Sequence, residues 1–382
     1  MKSKVAIVRC AAYEPALLDR SLAEAVELAP LPELRGASVL VKPNLLNASA
    51  PERAVTTRPE LLAAFLRLLK ARGAGRLTVG DSPGFHPQEA AGRRSGLREA
   101  AEAEGAAWVD FAEARELEYP EGRRVKRFSL AAALGEADLL VTLPKLKTHG
   151  LLRYTGAIKN LFGLVPGLGK SAYHLRFPDP GDFGAMLVDL ALAARPAYAL
   201  MDAVIAMEGR GPNNGRPRQV GLVLGSPDPL ALDWAAASLI GYDPAGIAYL
   251  AEAAARCAAA GGPWIGGAAD IEYPGLAPEG ASPGRFELVG AAAGSADIFA
   301  AMLPGFAHRV VRNLASPRPF FDRRRCTACG ACVRICPPGA LELAAGADGR
   351  RRVAIDRGKC IRCYCCDEIC PSDAIHLARR PW

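Results

Sequence analysis

The chain has 382 residues, half of them hydrophobic and 23% charged, so it holds enough apolar sequence for a large buried core. This length predicts two or three domains. The formal net charge is +7, but no long block of lysine and arginine with interleaved aromatic residues occurs, which argues against a nucleic-acid partner. No stretch reaches ~18 consecutive apolar residues, which argues against a membrane-spanning helix.

The first residues predict a β-strand and show no apolar export segment or twin-arginine motif. Most of the 11 cysteines fall after position 325, in a spacing that suits metal ligation in a reducing compartment better than disulfide bonds. We therefore expect a cytoplasmic protein.

Residues 1–303 alternate short apolar runs with longer runs rich in alanine and leucine. In chain order, strands are predicted at residues 5–9, 38–42, 76–80, 108–111, 138–143, 198–203, 219–224 and 285–289. Helices are predicted at about residues 15–29, 58–72, 87–104, 182–195 and 228–256. Apolar strands joined by helices predict an α/β domain over residues 1–303, with a mostly parallel sheet flanked by helices.

Residues 304–322 carry several prolines and predict a linker. The segment 323–382 that follows contains a repeat of four cysteines, with a proline directly after the fourth cysteine of each run. The two runs are Cys326, Cys329, Cys332 and Cys336, then Cys360, Cys363, Cys366 and Cys370. Cys365 falls outside the repeat and is predicted to be a non-ligand thiol.

A cuboidal iron–sulfur cluster needs four converging thiolates, three of which can come from one loop with these spacings. The repeat resembles bacterial-type two-cluster ferredoxins, in which the fourth cysteine of each run ligates the other cluster. The resemblance implies a small α+β domain over 323–382 with two [4Fe–4S] clusters. One would be held by Cys326, Cys329, Cys332 and Cys370, and the other by Cys360, Cys363, Cys366 and Cys336. Zinc is the alternative, but zinc sites usually combine well-separated pairs of cysteines.

Polar residues follow several predicted strands, and in a parallel sheet the carboxyl ends of the strands form one edge where ligands bind. The residues expected at this edge are Lys42, Asn44, Asp81, Lys145, Lys147, His149, Lys159, Asn160, Lys170, Asp202, Glu208 and Asp228. The lysines predict a site for a small anionic ligand, with Asp81, Lys145, Lys147 and His149 as candidate catalytic groups. The alternative is that the charges are solvated and that His149, or His174, is a hydrogen-bonded structural histidine.

Residues 145–170 interleave polar residues with glycines and predict a long ligand-binding loop. Its glycine-rich turn ending at Lys170 departs from the phosphate-loop pattern, because Leu164 stands at a required glycine position. The backbone amides of such a turn could still cradle another anion.

Together these segments resemble the DUF362 family, whose members are often fused to ferredoxin-type domains. The matching motifs are Val-Lys-Pro-Asn at 41–44, Gly-Asp-Ser-Pro-Gly at 80–84, Leu-Pro-Lys-Leu-Lys-Thr-His at 143–149, the segment 155–163, and residues 207–209 with 211–212. The resemblance covers about residues 38–245. It implies an iron–sulfur protein with a redox role and leaves the substrate open.

Three functions follow from these features. In the first, an oxidoreductase relays low-potential electrons from two [4Fe–4S] clusters to a small anionic substrate or cofactor, and exchanges electrons with a ferredoxin-like redox partner protein. In the second, the chain is an electron carrier or accessory subunit whose α/β domain docks a redox partner. In the third, the chain is a redox-inert enzyme whose clusters are structural or sensory. We favour the first.

Overall fold

The computed structural model describes residues 2–84, 87–289, 317–346 and 350–378. The chain divides into two compact units. The larger unit comprises Met1–Lys170 and Asp179–Leu288, and the smaller unit comprises Ser171–Pro178 and Val289–Trp382. None of the described helices is long and apolar enough to cross a membrane.

The larger unit contains a mixed sheet and several short strands outside it. The strands are Ser3–Lys4 (β1), Ala6–Arg9 (β2), Val39–Pro43 (β3), Leu77–Val79 (β4), Ala107–Trp108 (β5), Ala114–Glu118 (β6), Arg127–Ala131 (β7), Leu139–Leu143 (β8), Lys145–His149 (β9), Arg153–Thr155 (β10), Tyr198–Glu208 (β11), Arg216–Ser226 (β12) and Ile271–Glu272 (β13).

The main sheet is mostly parallel, which confirms the predicted fold class. Strands β5, β4, β3, β8 and β11 are neighbours in that order, and all of them are parallel. Strand β9 follows β8 after Pro144 and is also parallel to β11. Strand β12 is antiparallel to β11 and to β2, so β2 and β11 have the same direction. The carboxyl ends of β2, β3, β4, β9 and β11 therefore lie on one edge of the sheet, here called the rim.

Helices flank the sheet, and one further helix, Gly169–Arg176, runs from the larger unit into the smaller one. They are Pro15–Leu28 (α1), Pro59–Ala71 (α2), Gln88–Ser95 (α3), Leu97–Ala103 (α4), Ala157–Asn160 (α5), Gly169–Arg176 (α6), Pro180–Ala194 (α7), Pro229–Leu239 (α8), Ala248–Ala260 (α9) and Pro278–Ala281 (α10). Helices α7 and α8 both begin with proline after an aspartate whose carboxylate accepts two backbone N–H groups, as expected of helix starts. Apolar residues of α1 and α2 pack with β3, β4 and β8 in one buried cluster.

Several predicted elements differ from the structure. The helix predicted at 87–104 is two helices, because Gly96 between them has a left-handed φ of 72°. The helix predicted at 228–256 is interrupted after Leu239 by Gly241, with a φ of 95°, and then by Pro244. Residues 285–289 form no strand; Glu287 instead hydrogen-bonds Gly209 and Glu208.

Two larger corrections concern the rim. The strand ending at Ser226 is antiparallel, and Ser226 lies opposite Ala199 near the start of β11, so Asp228 lies at the edge opposite the rim. There its carboxylate caps α8. The loop predicted over residues 145–170 is also wrong: these residues form the β9–β10 hairpin, α5 and the 3₁₀ helix Leu161–Leu164. The hairpin was missed because the polar residues of β9 are buried on both faces, which removes the alternation that marks a strand.

The smaller unit is built from two similar halves. Its elements are Arg318–Phe321 (β14), Ala331–Ile335 (α11), Leu341–Ala345 (β15), Arg351–Ile355 (β16), Cys365–Ile369 (α12) and Ile375–Ala378 (β17). Strands β14 and β17 form one antiparallel pair, and β15 and β16 form another. Strand β14 falls within the predicted linker, whose residues 304–316 lie outside the described residues.

The repeat of the smaller unit extends to its backbone. Left-handed φ angles occur at Ala328, Gly330 and Gly339, and again 34 positions later at Arg362, Tyr364 and Asp373. The backbone N–H of Asp322 donates to Ala374, and that of Asp356 donates to Ala340, which are again equivalent positions. The two halves are therefore related by a shift of 34 residues.

Candidate functional site

Four cysteines of the smaller unit line one cavity: Cys326, Cys329 and Cys332 from the first run and Cys370 from the second. Cys326 and Cys329 lie in the loop before α11, and Cys332 lies in α11 itself. Cys370 directly follows α12. This is the set that the resemblance to two-cluster ferredoxins implies for one cluster.

The other four cysteines of the repeat also lie near one another. Burial raises the pKa of Cys336, and negative charge on Cys363 and Cys360 adds to the rise. Burial raises the pKa of Cys366, and the charges of Cys363, Asp367, Cys360 and Cys332 add to the rise. Charges act in this way only over short distances, so Cys336, Cys360, Cys363 and Cys366 lie near one another, and Cys366 also lies near Cys332 of the first group.

The surroundings of these thiols suit iron–sulfur clusters. Backbone N–H groups donate to two of the sulfurs: Ala340 to Cys336 and Ala374 to Cys370, each over 3.2 Å. Hydrogen bonds of this kind stabilise the negative charge on thiolates that hold a cluster. In the described part of the chain, no three His, Cys, Asp or Glu side chains form a group that could hold a single metal ion.

At the rim of the larger unit, Lys42 and Asp81 form a buried ion pair. Lys42 lies in β3 and Asp81 follows β4, the adjacent parallel strand, and their Nζ and Oδ1 atoms are 2.8 Å apart. The Asp81 carboxylate also accepts the backbone N–H of Leu45 and of Ser82. Burial lowers the pKa of Lys42, and the charge of Asp81 opposes this shift.

Gly163 lets the backbone approach this pair closely. A β-carbon at position 163 would collide with Asp81 Oδ1 and lie 2.6 Å from Lys42 Nζ. The Gly163 carbonyl accepts the Ser82 N–H over 3.3 Å, and the Gly167 N–H donates to Ser82 Oγ over 2.8 Å. The turn that follows α5 is therefore fastened to the Asp81–Ser82 loop.

Gly163→Ala should destabilise the larger unit by about 1–3 kcal/mol, because its methyl group would separate Lys42 from Asp81. Gly84→Ala is the control, since a β-carbon there meets no atom of the described residues within 4 Å. Urea unfolding followed by tryptophan fluorescence measures both variants. Equal unfolding midpoints for the two would contradict the close packing described here.

Lys159 and Lys170 lie near the Lys42–Asp81 ion pair. The pKa of Lys170 is lowered to about 7, chiefly by burial; the charge of Asp81 opposes this shift, and the charges of Lys42 and Lys159 add to it. Lys170 Nζ donates to the Val165 carbonyl over 2.6 Å, and Lys159 Nζ lies 5.2 Å from the centre of the Phe162 ring. This group, here called the lysine cluster, carries more positive than negative charge, which suits an anionic ligand.

Asn160 and Asp233 hold α5, which carries Lys159, in place. Asn160 Oδ1 accepts from Lys42 Nζ over 3.3 Å, and its Nδ2 donates to Thr142 over 2.8 Å. Asp233 accepts the first N–H groups of α5 and the Tyr154 hydroxyl, and burial raises the pKa of Asp233 to about 7. Asp233 was not predicted from the sequence, because it lies within an otherwise apolar helix.

A second buried pair joins Lys145 to Asp202. Their side chains are fully buried, and Lys145 Nζ is 2.8 Å from Asp202 Oδ2. The Tyr13 hydroxyl accepts from Lys145 over 2.9 Å and donates to Asp202 over 2.8 Å. Sequence analysis also missed Tyr13, although its position shortly after β2 places it at the rim.

The remaining predicted rim residues make separate contacts. Lys147 Nζ donates to the Val55 carbonyl over 2.7 Å. His149 is buried, and its Nδ1 accepts the backbone N–H of Leu151 over 3.1 Å within the β9–β10 turn. Glu208 accepts the N–H of Glu287. The structure thus brings Lys42, Asp81, Lys159, Asn160 and Lys170 together, and pairs Lys145 with Asp202 separately.

Two buried side-chain oxygens near the rim, Asn44 Oδ1 and Thr56 Oγ1, make no hydrogen bond to any described residue. Asn44 follows Lys42 by two positions, and its backbone N–H donates to Thr57 Oγ1 over 2.9 Å. Buried polar atoms are almost always hydrogen-bonded. These two oxygens therefore mark positions where a ligand or water molecule would find an acceptor.

Comparison with known proteins identifies relatives of both units. A family model described as domain of unknown function DUF362 matches residues 39–238, and one described as a 4Fe-4S dicluster domain matches residues 325–374. A thylakoid-associated protein from Synechocystis sp. is 37% identical over 257 residues, which are 66% of this chain and 78% of that protein.

Similarity to solved structures is weaker. The lactate racemase apoprotein from Thermoanaerobacterium thermosaccharolyticum is 15% identical, with a TM-score of 0.40, over 60% of this chain and 54% of that chain. A Thermotoga maritima protein is 13% identical, with a TM-score of 0.35, over 56% of this chain and 55% of that one. This chain therefore spans little more than half of either solved chain, and similarity at this level transfers no activity.

Proposed function

Because the chain belongs to the DUF362 family and carries a 4Fe-4S dicluster domain, we propose that it is an iron–sulfur oxidoreductase that reduces a small anionic substrate or cofactor bound at the lysine cluster. The dicluster domain supports electron transfer. The observation that carries the choice of an anion is that Lys42, Lys159 and Lys170 lie near one another, with the Asp81 carboxylate paired to Lys42.

The cysteines would hold two [4Fe–4S] clusters, which supply and accept single electrons when bound. Lys42 and Lys170 would attract the anion, and Asp81 keeps the Lys42 ammonium in position. Lys170 is the acid–base candidate of this group, because a pKa of about 7 allows it to donate or take up a proton near neutral pH. In this scheme the role of three other predicted residues is structural: their contacts hold the rim in place. They are Lys145, Lys147 and His149.

The direct test is reoxidation of the clusters. The anaerobically purified protein is reduced electrochemically and mixed with a panel of small carboxylate, phosphate and sulfur oxyanions, while the cluster absorbance is followed. We expect at least one anion to reoxidise the wild-type protein rapidly and the Lys170→Met variant at least roughly tenfold more slowly. Reoxidation by no anion, or equally fast in both proteins, would contradict the proposal.

The electron-carrier function gains support from a different observation. Lys145 and Asp202 are fully buried and satisfied by each other and by Tyr13, so no ligand is needed to balance their charges. A carrier would be reoxidised by a partner protein and by none of the anions, which the same experiment distinguishes.

Anion binding should depend on pH through Lys170. Sulfate keeps its charge between pH 6 and 9, whereas Lys170 loses its proton as the pH rises through about 7. Because the anion favours the ammonium form, sulfate affinity should be highest at low pH and fall by up to about tenfold per pH unit above the pKa.

Calorimetric titration of sulfate over this pH range measures the effect. Lys170→Met should bind sulfate weakly and without this pH dependence, whereas the exposed Lys126→Met control should behave like the wild type. A pH profile that is unchanged in Lys170→Met would remove Lys170 from the site.

A further inference from the structure

The two cysteine groups of the smaller unit differ in the charge around them. The cavity of the first group is lined by uncharged residues, among them Phe321, Thr327, Ala328 and Val353. The equivalent opening beside Cys360 is lined by Arg318, Pro319, Ile355, Arg357 and Arg362. The shift of 34 residues relates the two openings, because Cys360, Ile355 and Pro319 correspond to Cys326, Phe321 and Val353.

Only one of the three arginines lacks an arginine at the equivalent position of the other half. Arg318 and Arg357 correspond to Arg352 and Arg323, but the cavity of the first group is not lined by these two arginines. Arg362 corresponds to Ala328, and both have left-handed backbones, with φ angles of 56° and 53°. A bulky side chain is uncommon in this conformation, so its presence next to Cys360 has a conformational cost. Arg357 is exposed, and its guanidinium lies 5.8 Å from the centre of the Phe320 ring, which orients it at this opening.

We propose that Arg318, Arg357 and Arg362, here called the arginine rim, form the docking face for an acidic electron-carrier protein. Arginine presents a planar fork of donors that pairs with surface carboxylates, and complementary charge accelerates and orients such encounters. One electron passes from the reduced carrier, which is oxidised, to the cluster that Cys360 would help to hold, which is reduced. No bond forms and no proton moves. The inference rests on the proposed redox function.

The test uses the full chain with clusters bound and a reduced acidic plant-type [2Fe–2S] ferredoxin as the probe. Stopped-flow absorbance measures the rate of cluster reduction at low and high ionic strength. We expect a fast rate at low salt that falls with added salt, and a rate at least roughly tenfold lower for Arg357→Glu/Arg362→Glu.

The matched control is Arg323→Glu/Arg324→Glu, which makes the same change in net charge at exposed positions of the same unit. Iron content and EPR-monitored reduction potentials must match the wild type, so that a change in rate reports docking. If Arg357→Glu/Arg362→Glu is reduced by the ferredoxin as fast as the wild type, or if the control is slowed by the same factor, the arginine rim is not the docking face. Clusters that cannot be reduced even electrochemically would instead overturn the redox function itself.

Discussion

Cys370→Ala should remove the cluster held mainly by the first cysteine run, although Cys370 belongs to the second run. Its side chain lines the cavity of Cys326, Cys329 and Cys332, and a [4Fe–4S] cluster needs all four thiolates. Iron content should fall from about eight to about four per chain, since each cluster holds four irons. Cys336→Ala should remove the other cluster with a similar loss.

Double variants show which cysteines share a cluster. Cys326→Ala/Cys370→Ala should retain about four irons, because both changes affect one cluster, whereas Cys360→Ala/Cys370→Ala should retain almost none. Iron and sulfide analysis with EPR of the reduced protein measures this. Cys257→Ala, in α9 of the larger unit, is the control and should keep both clusters. The reverse pattern for the two double variants would show that each run ligates its own cluster.

Two placements in the structure match what local spacing, strand direction or the family resemblance predicts. The repeated cysteine runs are local patterns, but only the resemblance to two-cluster ferredoxins implies that Cys370 joins the first run, and the structure places it there. Lys42 and Asp81 were expected at one edge because each ends or follows a parallel strand, and they form an ion pair there. Their part in binding or catalysis stays a prediction.

Sequence reasoning failed where a contact joins distant segments. Asp228 was expected at the rim, but apolar content does not reveal that β12 is antiparallel. Tyr13 contacts Asp202 across 189 positions, and Asp233 holds α5 across 76 positions. Neither Tyr13 nor Asp233 stands in a local sequence motif. The role of each depends on a partner that lies far away in the sequence and comes close only in the fold.

Asp202→Asn should be among the most destabilising single changes in the larger unit, by about 3–5 kcal/mol. The substitution keeps the shape of the side chain and an oxygen for Tyr13, but leaves the Lys145 ammonium buried without a countercharge. Lys145→Met/Asp202→Asn removes both charges and should cost less than Asp202→Asn alone.

Urea unfolding followed by tryptophan fluorescence reports mainly on the larger unit, because three of the four tryptophans, Trp108, Trp234 and Trp264, lie in it. Cluster absorbance follows the smaller unit separately. Glu118→Gln, which breaks an exposed pair with Arg127, is the control and should cost less than about 1 kcal/mol. A midpoint for Asp202→Asn close to that of Glu118→Gln would show that Lys145 needs no countercharge.

The pH dependence of unfolding tests whether the buried charge of Lys145 causes the loss of stability in Asp202→Asn. Burial lowers the pKa of Lys145 below the 10.5 of an exposed lysine, and Asp202 opposes this shift, so Asp202→Asn should lower the pKa further. Between the folded and unfolded pKa values the unfolded chain binds more protons, so stability rises with pH in that window. The loss caused by Asp202→Asn should therefore be largest below the folded pKa of Lys145 and shrink as the pH approaches 10.5. A loss that does not change with pH would point to altered packing instead of a buried charge.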